Sequence, residues 1–161
     1  MNLTDIMNFF PPELVTAVLS GLPVVELRAG IPFGMQVLHL SAVSAFLWAI
    51  IGNAALSILF LYSLQPIESF CVKRLPSCNL IVQRYLARAR KSFAGTHAKY
   101  GAIGLAIFIA IPLPLTGAWT GAAAAHVMGL PKRITIISMI LGIVGAGLIV
   151  TFATLGLIRI F

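Results

Sequence analysis

Charge is what this sequence lacks. Of 161 residues, 9% are charged and only four are acidic, where a soluble domain carries about 25% charged residues. So few ionised groups cannot cover a water-facing surface. That excludes a soluble globular protein and leaves an integral membrane protein. Four carboxylates are also too few to build a catalytic acid pair, and the chain contains no HExxH, GxSxG or Walker A pattern,. The expectation is therefore no enzyme, no cofactor and no bound metal, and any active transport has to draw on an ion gradient. Cysteine is scarce too. Cys71 and Cys78 match no zinc spacing, and a lone pair in a reducing compartment is expected as two free thiols,. The opening MNLTDIMNFFPPE lacks a basic n-region and a small-residue cleavage site, so it is not expected to be a removable signal,.

What is present is apolar: 60% hydrophobic residues and a mean hydropathy of +1.03. The net charge of +7 comes from eleven Lys and Arg against four acidic residues, with nine of the eleven in short connecting segments. That distribution implies membrane topology and contact with anionic headgroups, not nucleic-acid binding.

Two kinds of apolar run alternate. Ala42–Leu64 has about 23 residues without a charge, about 35 Å as helix, and is long enough to span; Ile134–Ile158 is a second such run,. Ala45, Ala49 and Asn53 on the first, and Ser138, Gly142 and Ala146 on the second, repeat at the spacing that lets helices approach closely,. The other runs are half-length. After a short interfacial stretch ending in Phe9 and Phe10, Pro11 and Pro12 suit a helix start. An arm then runs from about Glu13 to Leu22 and stops at Pro23, and a second arm runs from about Ile31 to Leu40. At roughly 15–18 Å neither arm crosses the hydrocarbon core. Gly101–Ile111 and about Ala118–Met128 form a second such pair. The breaks are Pro23, Gly30 and Pro32 in the first, and Pro112, Pro114 and Gly117 in the second. Each pair is expected to form a re-entrant hairpin.

Between the halves, residues 66–100 carry Lys73, Arg74, Arg84, Arg88, Arg90, Lys91 and Lys99. Val82, Tyr85, Leu86, Ala89 and Phe93 recur there at helical spacing, with Arg84, Arg88 and Lys91 on another face. This implies a basic amphipathic helix lying in the interface; a solvated cytoplasmic loop is the plainer alternative.

The halves align at an offset of 90 residues: Leu40 on Leu130, Gly52 on Gly142, and Glu26–Arg28 on Thr116–Ala118. Nine of the eleven Lys and Arg lie in the central segment and at Lys132–Arg133, which places those parts in the cytoplasm. The first hairpin then enters from outside and the second from inside, with both termini outside. The expected architecture is an all-α membrane domain over 1–161. It comprises two inverted repeats, about 11–64 and 101–158, each a re-entrant hairpin plus one transmembrane helix, separated by the basic segment 66–100. Transporters of this plan place their sites where the repeats meet. A chain this small encloses no wide pathway alone, so a homodimer or higher oligomer is expected.

PVVELRAGIPFG (Pro23–Gly34) and IPLPLTGAWTGAAAA (Ile111–Ala125) resemble the small multidrug-export protein family, a branch of the DedA/VTT-like superfamily of bacterial and archaeal membrane proteins. The resemblance runs from about Leu22 to the last span, with Gly52-Asn53 and Tyr100-Gly101 inside it. It implies a multi-pass protein of a prokaryotic cell membrane that exports solutes. The superfamily implies re-entrant helices and translocation of lipid-linked phosphates or phospholipids. One departure matters. The superfamily's second break reads R-F-I-P-G-V-R-T, whereas here Pro112 and Thr116 match but Ile109 and Leu115 stand at the arginine positions.

The candidate site residues are Glu26, Arg28, Asn53, Thr116, Trp119 and Thr120. An ionised side chain at bilayer depth costs about 2.5–3.5 kcal/mol and is functional by default. Arg28 suits a phosphate or carboxylate, and Glu26 can pair with it or exchange a proton for coupling. Helix amides opening near Ile31 and Ala118 suit an anion. The plainer readings are a structural Glu26–Arg28 pair or a headgroup-level loop. Thr116 and Thr120 can instead satisfy backbone carbonyls, Trp119 can pack, and Asn53 can join helices. His39 and His126 are expected as interfacial hydrogen bonders, and His97 at the surface. The leading expectation is an exporter or translocase of an amphipathic or lipid-linked substrate, proton- or sodium-coupled. Flipping of a polyprenyl phosphate or phospholipid is the first alternative. A non-transporting scaffold or chaperone is the second.

Overall fold

Proline and glycine punctuation cuts the chain into helices of two lengths. The computed structural model describes residues 10–74, 76–93, 100–112 and 116–160. Phe9 and the stretch before it, His97, Lys99, Pro114 and Leu115 lie outside these residues. Among the described residues the fold is all-helical, with seven helices and no strands: α1 (Pro12–Gly21), α2 (Glu26–Gln36), α3 (Ala42–Arg74), α4 (Pro76–Phe93), α5 (Gly101–Ala110), α6 (Ala118–Val127) and α7 (Lys132–Ile160).

Two helices are long and apolar enough to cross a bilayer, over Ala42–Lys73 and Lys132–Leu157. Most of their surface is not covered by protein. Val43, Leu59, Leu141 and Phe152 are each more than 60% exposed, which water would penalise and lipid would not. The 33 residues of α3 extend about 50 Å, well past the hydrocarbon core,. The helix therefore runs ten residues beyond Leu64, where the span was expected to end. Pro66 lies inside it without ending it.

The chain divides into two compact units. One comprises Met1–Leu56 with Ile143–Phe161, the other Ser57–Gly142. In the first unit α1 and α2 pack together in antiparallel register, because Gly30 faces Ser20 while Gly34 faces Thr16. Any Cβ at Gly30 would overlap the Ser20 hydroxyl. Gly30 and Pro32 therefore belong to the body of α2 and not to the break, which narrows to residues 22–25. The apolar spacing could not show this, because a glycine that permits contact and one that permits a turn look alike in sequence. The small-residue stripe of α3 is buried, with Ala45 and Ala49 fully so, and Gly52 receives α1 so closely that a Cβ would overlap the Ala17 carbonyl.

In the second unit α5 packs on α6, and Gly142 of α7 receives α5 in the same manner. A Cβ there would lie 2.7 Å from the Ala106 carbonyl oxygen. The basic helix α4 buries Leu86, Ala89 and Phe93 while Arg84, Arg88 and Lys91 stay exposed. Its apolar face meets protein, since α4 packs on α6 and Phe93 sets its ring edge-on to Phe108 at 5.5 Å. Cys71 and Cys78 form a disulfide across the junction of α3 and α4, contrary to the expectation of free thiols. The junction brings their Cα atoms to 5.4 Å, within bridging range,.

Gly52→Ala is expected to destabilise the protein by about 1–3 kcal/mol, because the obstacle is backbone. Gly156→Ala, with nothing within 4 Å of its would-be Cβ, is expected to be neutral or slightly stabilising,. Thermal unfolding in detergent would separate them by several degrees; equal melting temperatures would contradict the close approach.

Candidate functional site

The break between α1 and α2 is closed by a turn in which the Glu26 amide donates to the Leu22 carbonyl at 3.0 Å. Glu26 itself has φ 47°, a left-handed conformation that costs an L-residue roughly 1–2 kcal/mol. Among the described residues only His39 shares this among non-glycines, with φ 55°. His39 has a local reason: it follows α2, and the Leu40 amide returns to the Gly34 carbonyl at 2.9 Å, a left-handed helix ending,. Glu26 opens a helix, where no such ending is required. Strain of this kind is characteristic of functional positions.

Position in the helix sharpens the contrast between the two charges. Both lie in the first turn of α2. The dipole there favours the carboxylate of Glu26 and opposes the cation of Arg28. Leu27 between them is buried, while Glu26 and Arg28 are half-buried. Pro32 cannot donate to the Arg28 carbonyl four residues back. At the apex of the turn Pro23 is exposed and Val24 is 92% exposed.

Asn53 belongs to the same unit and is buried. Its amide nitrogen donates to the Ser20 carbonyl at 2.9 Å. The last carbonyls of a helix lack intrahelical donors, and Pro23 has no N–H to offer. Asn53 thus ties the end of α1 to α3.

Thr116, Trp119 and Thr120 lie in the other unit. The Thr116 hydroxyl donates to the Ile111 carbonyl at 2.8 Å, closing the loop that begins at half-buried Pro112. Gly117 adopts φ 141°, ψ −175°, a region essentially restricted to glycine, and α6 begins directly after it,. Trp119 rests on Phe60 with ring centroids 4.5 Å apart, and Phe60 also meets Tyr85. Thr120 is half-buried on α6. The sequence-derived site is therefore divided between the units: Glu26, Arg28 and Asn53 in one, Thr116, Trp119 and Thr120 in the other.

A second polar cluster was not singled out from sequence. Glu68, beyond Pro66 on α3, accepts from the Gln83 amide at 3.0 Å, and its other oxygen lies 2.9 Å from His126 Nε2. These residues line a cavity of about 350 Å³ with Leu86, Arg90 and Val127. Glu68 is one of only four carboxylates and sits beside a basic segment. That rarity was the available signal. Gln83 and His126 could not be assigned to it without the fold.

The sequence profile of the small multi-drug export proteins matches residues 26–149. The chain belongs to this family. No curated protein and no solved structure matches it. The family match begins at Glu26, contains Arg28, Asn53, Glu68, Gln83, Thr116, Trp119, Thr120 and His126, and ends inside α7. With the two apolar spans, it identifies the chain as a membrane protein.

Because Glu26 is left-handed, Glu26→Gly should be more stable than Glu26→Ala by about 1 kcal/mol: both lose the carboxylate and only glycine accepts the conformation freely. Ordinary helix positions rank the pair the other way by a similar amount. Melting temperatures of the two purified variants decide the sign.

Proposed function

We propose that this protein is a secondary exporter of amphipathic solutes, with Glu26 and Arg28 as its working charges. The observation that carries this reading is the left-handed Glu26 at the opening of α2, beside a cation placed against the helix dipole. A charged pair held against two local preferences, in a chain this poor in charge, calls for a role beyond packing. In this reading α1–α2 and α5–α6 are re-entrant hairpins of two inverted repeats. Support comes from the glycine contacts, since Gly52 receives α1 and Gly142, ninety residues on, receives α5. The bare, apolar Val24 at the first apex suits a lipid or protein environment within the membrane. Export would be proton- or sodium-coupled, with no enzymatic step, and Glu26 is the group suited to carry the exchange.

A lipid-linked phosphate is the second reading, through the DedA-like superfamily. Ile109 weighs against copying its arginine chemistry. It is 2% exposed and fills the space against Gly121 and Gly142. An arginine there would be packed into an apolar contact. Arg28 would then have to hold the phosphate.

In proteoliposomes, Glu26→Gln and Arg28→Ala are each expected to lower ion-driven efflux of an amphipathic dye at least about tenfold, with the protein still folded. Wild-type-like flux in both variants would remove the site. Transfer of labelled lipid headgroups between leaflets, with no ion-dependent dye flux, would favour the second reading.

We further propose that the central segment faces the cytoplasm of a prokaryotic cell. Cys78 is the more accessible of the two. In a Cys71→Ser background an impermeant thiol reagent should label it only after the cells are permeabilised. Labelling in intact cells would reverse the orientation.

A further inference from the structure

We propose that the Cys71–Cys78 bond is a reversible redox clasp, opened and closed by a dithiol/disulfide couple of the cytoplasm, that holds the first half of α4 against α3. The inference rests on the cytoplasmic placement of the central segment and is independent of any role for Glu26. Disulfides that do occur in the cytosol are mostly transient and redox-sensing, not structural.

The clasp sits where other contacts between the two helices are weak. None of the described α4 side chains before Leu86 is buried, and Leu80 and Ile81 are 53% and 68% exposed. The packed part of the helix begins at Leu86 and continues through Ala89 and Phe93. Ahead of it Gln83 donates to Glu68 at 3.0 Å, but that bond is exposed and water competes for it,. Few buried contacts and exposed hydrogen bonds mark a segment that opens locally. The covalent bond removes that freedom, because Cys71 lies three residues past Glu68 on α3 and Cys78 five residues before Gln83 on α4. A sequence separation of 7 is short enough for the bond to be remade at little cost in loop closure,. The two sulfurs are unequal. Cys71 is 2% exposed and Cys78 is half-buried, so an incoming thiolate reaches Cys78. It forms a mixed disulfide with Cys78, and Cys71 leaves as a thiolate that takes up a proton. The second thiol of the same reductant then attacks its own sulfur in the mixed bond and releases the Cys78 thiol. Two electrons pass to the cysteine pair, the dithiol becomes a disulfide, and the reverse exchange closes the clasp. Once it is open, the first half of α4 pivots about Leu86 and Gln83 parts from Glu68. One wall of the cavity that Glu68, Gln83 and His126 line is then free to move.

The test is hydrogen exchange of the full chain in neutral detergent, oxidised with diamide or reduced with dithiothreitol. Reduction should speed exchange of the amides from Leu80 to Tyr85 at least about tenfold, and of those from Leu86 to Phe93 less than about twofold. A double variant, Cys71→Ser with Cys78→Ser, should exchange as the reduced protein does under both conditions. If that variant does not fold, the oxidised and reduced wild type decide the matter without it. Equal exchange in the two wild-type forms overturns the proposal. In cells quenched with acid and alkylated, the two cysteines should be thiols before a brief treatment with diamide and joined after it. A bond in untreated cells, or none after diamide, overturns it as well. The exchange result depends neither on orientation nor on transport, and impermeant labelling of Cys78 reports orientation without the clasp. A failed clasp and a failed orientation therefore give different results.

Discussion

Helices too short to cross a bilayer must be held by helices that do cross, and lipid supplies no hydrophobic force to press them together. Here the holding depends on backbone meeting backbone at two glycines. Gly52 of α3 admits the Ala17 carbonyl, and Gly142 of α7 admits Ala106 and Ile109. Neither contact survives a side chain. Once α1 lies that close, Asn53 can reach the Ser20 carbonyl that the break at Pro23 leaves without a backbone donor. Broken helices are tolerated at membrane depth only when neighbours re-satisfy the freed groups. Close approach and carbonyl satisfaction are thus one device.

The sequence was most legible where a physical cost leaves a mark. The runs from Ala42 and from Ile134 became the two long helices because a charge-free run of more than twenty residues has few other uses,. Ala118 opened α6 because Gly117 stands before it. Legibility failed where one residue type serves two ends. Gly30 and Pro32 read as a break because glycine and proline usually punctuate. Gly30 instead removes a side chain facing Ser20, and Pro32 is carried within α2. The disulfide was unreadable for a different reason: spacing gave two cysteines seven apart, and only the fold brings their Cα atoms to 5.4 Å.

Site residues divide along the same line. Glu26 and Arg28 were visible because charge is rare here, but the left-handed backbone at Glu26 was not. Nothing in ELRAG distinguishes a strained glutamate from an ordinary first-turn acid. Asn53 was visible as a polar residue within a span, yet its partner, a carbonyl thirty-three residues away, has no sequence signature. Glu68 carried the same rarity signal as Glu26. The run of arginines around it obscured that signal, since a lone acid in a basic segment reads as a surface counter-charge.

The two acidic centres differ in what holds them. Glu68 has neutral or titratable partners at both oxygens, supplied by α4 and α6. Its position is fixed by three helices at once. Glu26 sits on a strained backbone, in a turn closed through Leu22 and at a φ that an L-residue does not favour. A carboxylate locked by side-chain hydrogen bonds moves only if those bonds break. A strained backbone gives up its strain when it relaxes, which lowers the cost of a movement there. Of the two, Glu26 carries the backbone strain that would favour movement in the proposed transport cycle, and Glu68 the hydrogen bonds that join α3, α4 and α6.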